Sequence, residues 1–172
     1  MDRLNVMMEV PIEQCWQETG AKPIGTRWVD INKGDDDRIA IRARFVAQEL
    51  KSSQVRAGIA RDDVFSATPP LEAIRLPMSL MMTEGRKERN YSMMFIDISR
   101  AHFHSPARRR VFVELPPERR RPGWCGLLLK SMYGTRDAAA NFAAMVMDVL
   151  TAMDFEIGKF NPCLCRHWTR DA

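Results

Sequence analysis

Phe95-Ile96-Asp97-Ile98-Ser99-Arg100-Ala101-His102 sets one carboxylate near the end of an apolar run that begins at Tyr91. The run, Tyr91 to Ile98, is rich in Met, Phe and Ile, and it is bounded by the charged Glu84 to Asn90 segment before it and Arg100 after it. It reads as an interior strand. An ionised Asp left alone in such a strand is strongly unfavourable, so the carboxylate calls for a metal ion, an arginine or a backbone cap. Arg100 is close in sequence for the second option, and hard cations prefer carboxylate oxygens for the first. These residues by themselves leave all three open.

Downstream, a loop from His102 to Ala107 leads into Val111 to Pro117, which alternates like a strand, with Val111 to Leu115 as its body. Arg108-Arg109-Arg110 and Arg119-Arg120-Arg121 bracket it. Two such clusters either grip phosphates or form a solvated basic rim. A turn through Pro116 and Gly123 follows. From about Asp137 to Asp154, residues Phe142, Met145, Val146, Val149, Leu150 and Met153 keep i, i+3, i+4 spacing. This predicts an amphipathic helix whose Met-rich stripe is core.

Upstream, Arg27 to Ile31 and Arg38 to Val46 read as two strands joined by the turn-rich Asn32 to Asp37. In the second strand Ile39, Ile41, Ala43 and Phe45 share one face, and Arg42 and Arg44 point to the other. Those two guanidinium groups can clamp a phosphate or sit in water. After the polar Lys51 to Asp63, Pro69-Pro70 precede Leu71, Ile74, Met78, Met81 and Met82, spaced for one helical face. Pro77 removes a hydrogen bond there, so either the helix starts near Pro77 or the segment is weakened. Gly85 is a natural stop.

A chain of 172 residues, 45% apolar, fits one domain with a core of its own and is not wholly disordered. Its 26 Lys and Arg against 22 Asp and Glu leave +4, a mild bias toward polyanionic partners. There is no apolar leader and no apolar run long enough for a bilayer, so Cys15, Cys125, Cys163 and Cys165 are expected as buried thiols in a reducing, intracellular setting. Cys163-x-Cys165-x-His167 has a spacing that common zinc motifs do not use.

Seven pieces stand in a telling order: Pro23-Ile24-Gly25-Thr26-Arg27-Trp28-Val29; Arg42-Ala43-Arg44-Phe45-Val46-Ala47-Gln48; Asp63-Val64-Phe65-Ser66; the Asp97 stretch; Val111-Phe112-Val113-Glu114-Leu115-Pro116-Pro117; Lys130-Ser131-Met132-Tyr133-Gly134; and Asn161-Pro162-Cys163-Leu164. Along nearly the whole chain they resemble the reverse transcriptase domain of copia-type LTR retrotransposon polyproteins. The resemblance implies an α+β fold, an antiparallel sheet with packed helices, made of fingers (about 23–90) and part of a palm (about 91–172) in one incomplete domain. It implies RNA-directed DNA polymerisation with two magnesium ions, Asp97 being the first catalytic and metal-binding carboxylate. The Ile98 carbonyl would add an oxygen, and Arg42 or Arg44 would neutralise the dNTP triphosphate. His102 takes a position that is aromatic in many relatives and packs under the sugar to exclude a 2′-hydroxyl; Phe103 is the neighbouring substitute. Tyr133 and Gly134 would line the template and nucleotide pocket, and Arg108, Arg109, Arg110, Arg119, Arg120 and Arg121 would make weak nucleic-acid contacts. Implied partners are an RNA template, a DNA primer, dNTP and the rest of the polyprotein, with no membrane, in cytoplasm, nucleus or virus-like particles.

The family completes its metal site with an Asp-Asp pair on a later hairpin, and this sequence stops at Ala172 before it. The adjacent Asp residues here, in Asp35-Asp36-Asp37 and Asp62-Asp63, all precede Asp97. One carboxylate does not hold two magnesium ions usefully, so these residues alone are expected to be inactive. Asp137 and Ala139 also replace a usual Gln and Pro. A non-catalytic nucleic-acid-binding module and a decayed retroelement relic are the alternatives.

Overall fold

The computed structural model describes residues 4–35, 37–49, 66–82 and 96–167. They combine helices with antiparallel sheets, the α+β class expected. The chain divides into two compact units, Met1–Phe65 with Arg100–Phe142, and Ser66–Ser99 with Ala143–Ala172.

The first unit is built on a three-stranded antiparallel sheet in the order β1 (Met7–Pro11), β5 (Trp124–Leu128), β4 (Phe112–Val113). Met7 faces Leu128 and Pro11 faces Trp124, while Phe112 faces Leu127. Ile24 extends the sheet past β4, since its N–H donates to the Phe112 carbonyl (2.8 Å) and its carbonyl accepts from Glu114 N (2.8 Å). Alternation sends neighbouring side chains to opposite faces. Val113 and Leu128 join Phe45, Ala47, Val111 and Met132 in one buried cluster, and Phe112, Cys125 and Leu127 join Val10 and Cys15 in another. Full burial of each large apolar side chain stabilises by about 1.5–3 kcal/mol, so these clusters are what hold the sheet. Helix α1 (Ile12–Thr19) follows β1 directly, starts after Pro11 and ends at Gly20, whose φ of 63° lets its N–H close on the Trp16 carbonyl (2.9 Å). Neither β1, α1 nor β5 was anticipated above.

The expected hairpin is present. β2 (Thr26–Asn32) pairs with β3 (Ile41–Ala47) in full antiparallel register, Thr26 opposite Ala47 and Asn32 opposite Ile41. Its base is buried through Phe45 and Ala47, with the Trp28 ring tilted against Phe45 (centroids 5.1 Å apart), whereas Ile39 and Ile41 near the turn are exposed. The second strand is shorter than expected: Arg38 to Ala40 lie outside it, where the Asn32 side chain accepts the Gly34 and Ala40 N–H groups and shapes the turn.

In the second unit, α2 (Leu71–Met82) starts just after Pro69-Pro70 and runs through Pro77, which offers no N–H to the Ala73 carbonyl. Of the expected face, Leu71, Ile74, Met78 and Met82 are exposed, whereas Ala73, which is not on that face, is buried. The anticipated helix near Asp137–Asp154 is α3 (Ala138–Ala152), of which the residues up to Phe142 belong to the first unit and those from Ala143 to the second. Its stripe is less enclosed than a core stripe should be: Phe142, Met145, Val146 and Leu150 are half-buried, and Val149 and Met153 are exposed. Strands β6 (Phe155–Ile157) and β7 (Cys165–His167) form a short hairpin closed around Asn161, whose side chain accepts the Cys163 N–H (2.9 Å). The interior strand expected from Tyr91 to Ile98 is corrected where it is described. Ile96, Asp97 and Ile98 are in no strand, Ile96 is 71% and Ile98 44% exposed, and no described strand pairs with them. Tyr91–Phe95, Gly85 and the Asp63–Phe65 part of the family motif lie outside the described residues.

Candidate functional site

The hairpin and the Lys130-to-Gly134 turn meet at a close seam in the first unit. Ala47 N–H donates to the Tyr133 carbonyl at 2.8 Å, and Glu49 N–H to the Gly134 carbonyl at 3.4 Å. Gly134 has φ +87°, and a Cβ there would lie 1.9 Å from the Ala47 oxygen, so glycine alone permits this approach. The two residues expected to line a nucleotide pocket thus join the end of β3 by their backbones.

A buried ionic group locks the seam. Arg109 Nη2 reaches Glu49 Oε2 at 2.6 Å and Asp137 Oδ1 at 2.9 Å, and those two carboxylate side chains are 2% and 8% exposed. Arg136 N–H donates to Glu49 Oε2 (2.8 Å), and Asn141 Nδ2 donates to Asp137 Oδ2 (3.0 Å) and to Ser131 Oγ (3.0 Å). Ser131 Oγ donates in turn to the Pro106 carbonyl at 3.2 Å. Burial opposes the charge on Arg109, but the hydrogen bonds and charges of Asp137 and Glu49 outweigh it and hold its pKa above the ordinary value. Asp137, which departs from the family pattern, is therefore the counter-ion of an arginine from the first rim cluster. Sequence reasoning missed this group, because its members are far apart in the chain.

Beside the seam, the short 3-10 turn Ala101–His104 brings His102 and Phe103 onto Tyr133. Ring centroids are 4.4 Å apart for His102–Tyr133 and 5.4 Å for Phe103–Tyr133, and Phe142 adds an edge contact to His102 at 6.2 Å. Three of the expected site residues are thus one aromatic group. Burial pushes the His102 imidazole below its usual range, and its Nδ1 is buried without a hydrogen-bond partner.

The rim arginines have partners within the fold. Arg110 pairs with Glu18, Arg119 and Arg121 share Glu9 (2.6 and 3.0 Å), and Arg120 meets Glu114 at 3.0 Å. Arg121 also lies 3.8 Å over the Trp124 ring. Arg42 and Arg44 differ, having no hydrogen bond or ion pair among the described residues. Arg27, not singled out above, falls on their face of the hairpin. The signal was available in the alternation of the first strand once its register with the second is known.

Asp97 and Ile98 belong to the second unit and are exposed. An exposed carboxylate is hydrated and needs no counter-ion, which removes the buried-charge reason for a metal at Asp97. No three His, Cys, Asp or Glu side chains among the described residues come together as a metal site. The described residues therefore do not by themselves fit a pair of magnesium ions. All four cysteines are free thiols; Cys15 and Cys125 are buried, Cys163 and Cys165 half-buried. Burial, with the nearby Cys15 and Glu13, lifts the Cys125 thiol to about 11. Among the described residues no helix is long and apolar enough to cross a membrane.

Residues 15–167 match the family described as Reverse transcriptase (RNA-dependent DNA polymerase). The chain belongs to this family. No curated protein and no solved structure matches it. In this reverse transcriptase chain, the sequence motifs around Ala47 and Tyr133 are adjacent in space, and the rings of His102, Phe103 and Tyr133 form the wall beside them.

Proposed function

We propose that this chain is the fingers and part of the palm of a copia-type retrotransposon reverse transcriptase, within a polyprotein that acts in the cytoplasm, nucleus or virus-like particles. The observation that supports this reading is the seam: two motifs of the family order, 85 or so residues apart, dock through the Ala47–Tyr133 hydrogen bond and the Gly134 approach. The reaction is transfer of a nucleotide from dNTP to a DNA primer on an RNA template. Arg42 and Arg44 meet the phosphates of these substrates, and His102, Phe103 and Tyr133 with Gly134 bound the nucleotide and template. Asp97, with the Ile98 carbonyl, contributes the first oxygens for magnesium and requires the carboxylates of an Asp-Asp pair to complete the site. Without such a pair these 172 residues do not extend a primer.

Primer extension on a primed RNA with magnesium and dNTPs tests this, using the chain itself and the longest polypeptide that its transcript encodes. Extension is expected only from a polypeptide carrying an Asp-Asp pair after Asp97, and Asp97→Asn should abolish it while the circular dichroism spectrum stays the same. Activity surviving in Asp97→Asn would remove Asp97 from the reaction, and extension by the 172 residues would refute their dependence on the pair. A non-catalytic nucleic-acid-binding module is the second reading. The hairpin arginines, which have no ion pair or hydrogen bond among the described residues, favour it, and binding without extension by every longer product would establish it.

A further inference from the structure

The β2–β3 register puts a third arginine where the strand pattern of β3 alone shows two. Arg27 is opposite Val46, Val29 opposite Arg44, and Ile31 opposite Arg42. Residues directly opposite in an antiparallel pair share a face, so Arg27, Arg42 and Arg44 all project from the same side, with Val29, Ile31 and Val46 between them. The other side carries Trp28, Asp30 and Phe45, and its base is buried in the core through Phe45 and Ala47. The hairpin's strand carboxylate, Asp30, is therefore on the opposite face from the arginines. Arg27 and Arg42 are exposed and Arg44 is half-buried, and among the described residues none of the three has an ion pair or hydrogen bond.

We propose that this face is a binding site for consecutive phosphates of a single nucleic-acid strand, with Arg27 as a contact residue alongside Arg42 and Arg44. Residues two apart on a strand are about 6.8 Å apart, and a diagonal cross-strand neighbour is about 7–8 Å away. Arg42, Arg44 and Arg27 thus form a slanting row of three evenly spaced cations. Such a row suits charges separated by a sugar; the phosphates of one triphosphate share bridging oxygens and would occupy one or two guanidinium forks. The apolar floor of Val29, Ile31 and Val46 limits solvent screening beneath the row. The site needs neither a metal ion nor Asp97. It rests on the proposed function for the class of ligand only, and it narrows that reading from phosphate contact in general to contact with a strand.

The test is fluorescence anisotropy of a labelled single-stranded RNA with the 172-residue chain, without magnesium, over a series of salt concentrations. Arg27→Ala, Arg42→Ala and Arg44→Ala should each weaken binding and reduce the slope of log K against log salt by about 0.7, the single-strand value for one lost phosphate contact. Lys159→Ala, which removes one exposed charge from the other unit, should change the slope much less. Arg44→Lys keeps the charge and should keep the slope while losing affinity through the lost fork, which covers the half-buried position if the alanine variant unfolds. Free dNTP should compete only at concentrations far above those of the strand. An Arg27→Ala slope equal to that of Lys159→Ala would overturn the assignment of Arg27. Competition by dNTP at concentrations comparable to the strand would make this a nucleotide site and overturn the strand proposal. Binding untouched by all three substitutions would defeat this inference alone, whereas no binding by the unaltered chain would also defeat the nucleic-acid reading of the protein.

Discussion

Arg109 and Arg44 lie in the same compact unit, yet one guanidinium is locked between two buried carboxylates and the other has no acidic partner among the described residues. By sequence they rank the other way. Arg109 sits in a run of three arginines beside a second run of three, the kind of cluster that reads as a phosphate grip, and Arg44 is one of two in an alternating strand. The fold gives Arg109, Arg110, Arg119, Arg120 and Arg121 internal carboxylates. A ligand must compete with those partners, and at the hairpin no such partner stands among the described residues. Charge available for binding is therefore set by pairing in three dimensions, not by density along the chain.

The sharpest way to break this contrast is to remove the locked arginine. Arg109→Met leaves Glu49 and Asp137 buried without their cation, and losing one side of a buried pair typically destabilises by about 3–5 kcal/mol. Urea unfolding should show a midpoint far below that of the unaltered chain. Neutralising the carboxylates as well, in Glu49→Gln with Arg109→Met and Asp137→Asn, should restore most of the loss, because the charges left stranded are gone. A loss under about 1 kcal/mol for the single change would place Arg109 with ordinary surface pairs.

Gly134→Ala strikes the same seam through its backbone. Both the positive φ and the overlap with the Ala47 oxygen oppose a Cβ, and together they should cost about 2–4 kcal/mol. Amide exchange reports where the damage falls: the Ala47 N–H, bonded to Tyr133, should lose protection while those of β5 do so less. Uniform loss across the unit would mean that the seam is not a separate constraint.

How far all this could be read in advance follows from sequence distance. The hairpin and α3 are local patterns, periods of two and of 3.6, and they appeared close to where they were expected. Strands β1 and β5 carry weak alternation of their own and exist because Met7 to Pro11 pairs with residues more than a hundred positions away. The Glu49–Arg109–Asp137 group is likewise non-local, and nothing about any one of its members marks it. Arg27 was hidden for a milder reason: its face is defined only once the register of β2 against β3 is known. The buried strand expected around Asp97 failed in the opposite direction. The flanking Ile96 and Ile98 have strand-like alternation with no described partner, so apolar neighbours did not mean burial.

His102 sharpens the comparison from the side of a titrating group. Its ordinary pKa is 6.5, and burial lowers it in the fold. Above 6.5 both folded and unfolded imidazoles are neutral; as pH falls below that value the unfolded chain binds the proton first, so stability falls until the lower folded value is reached and then levels off. His102→Phe removes both this dependence and the unpartnered Nδ1 and keeps the stack on Tyr133, for a gain on the order of 1 kcal/mol near neutrality. Unfolding free energies between about pH 7.5 and 4.5 should therefore diverge toward acid, the phenylalanine variant losing less. A constant gap would mean that His102 is protonated as easily inside the fold as outside it.

The smallest effect should come from Arg120→Ala, and its smallness is informative. Arg120 and Glu114 are both well exposed at 56% and 44%, and their 3.0 Å contact is of the kind worth about 0.2–1 kcal/mol. Salt should erase even that, since water and ions screen an exposed pair. The same substitution removes as much formal charge as Arg44→Ala. If total charge governed attraction for an RNA strand, the two variants would lose equal affinity; if pairing governs it, Arg120→Ala should lose much less, because the charge it removes was already countered by Glu114. Equal losses would return the rim clusters to the binding surface and leave the hairpin no special standing.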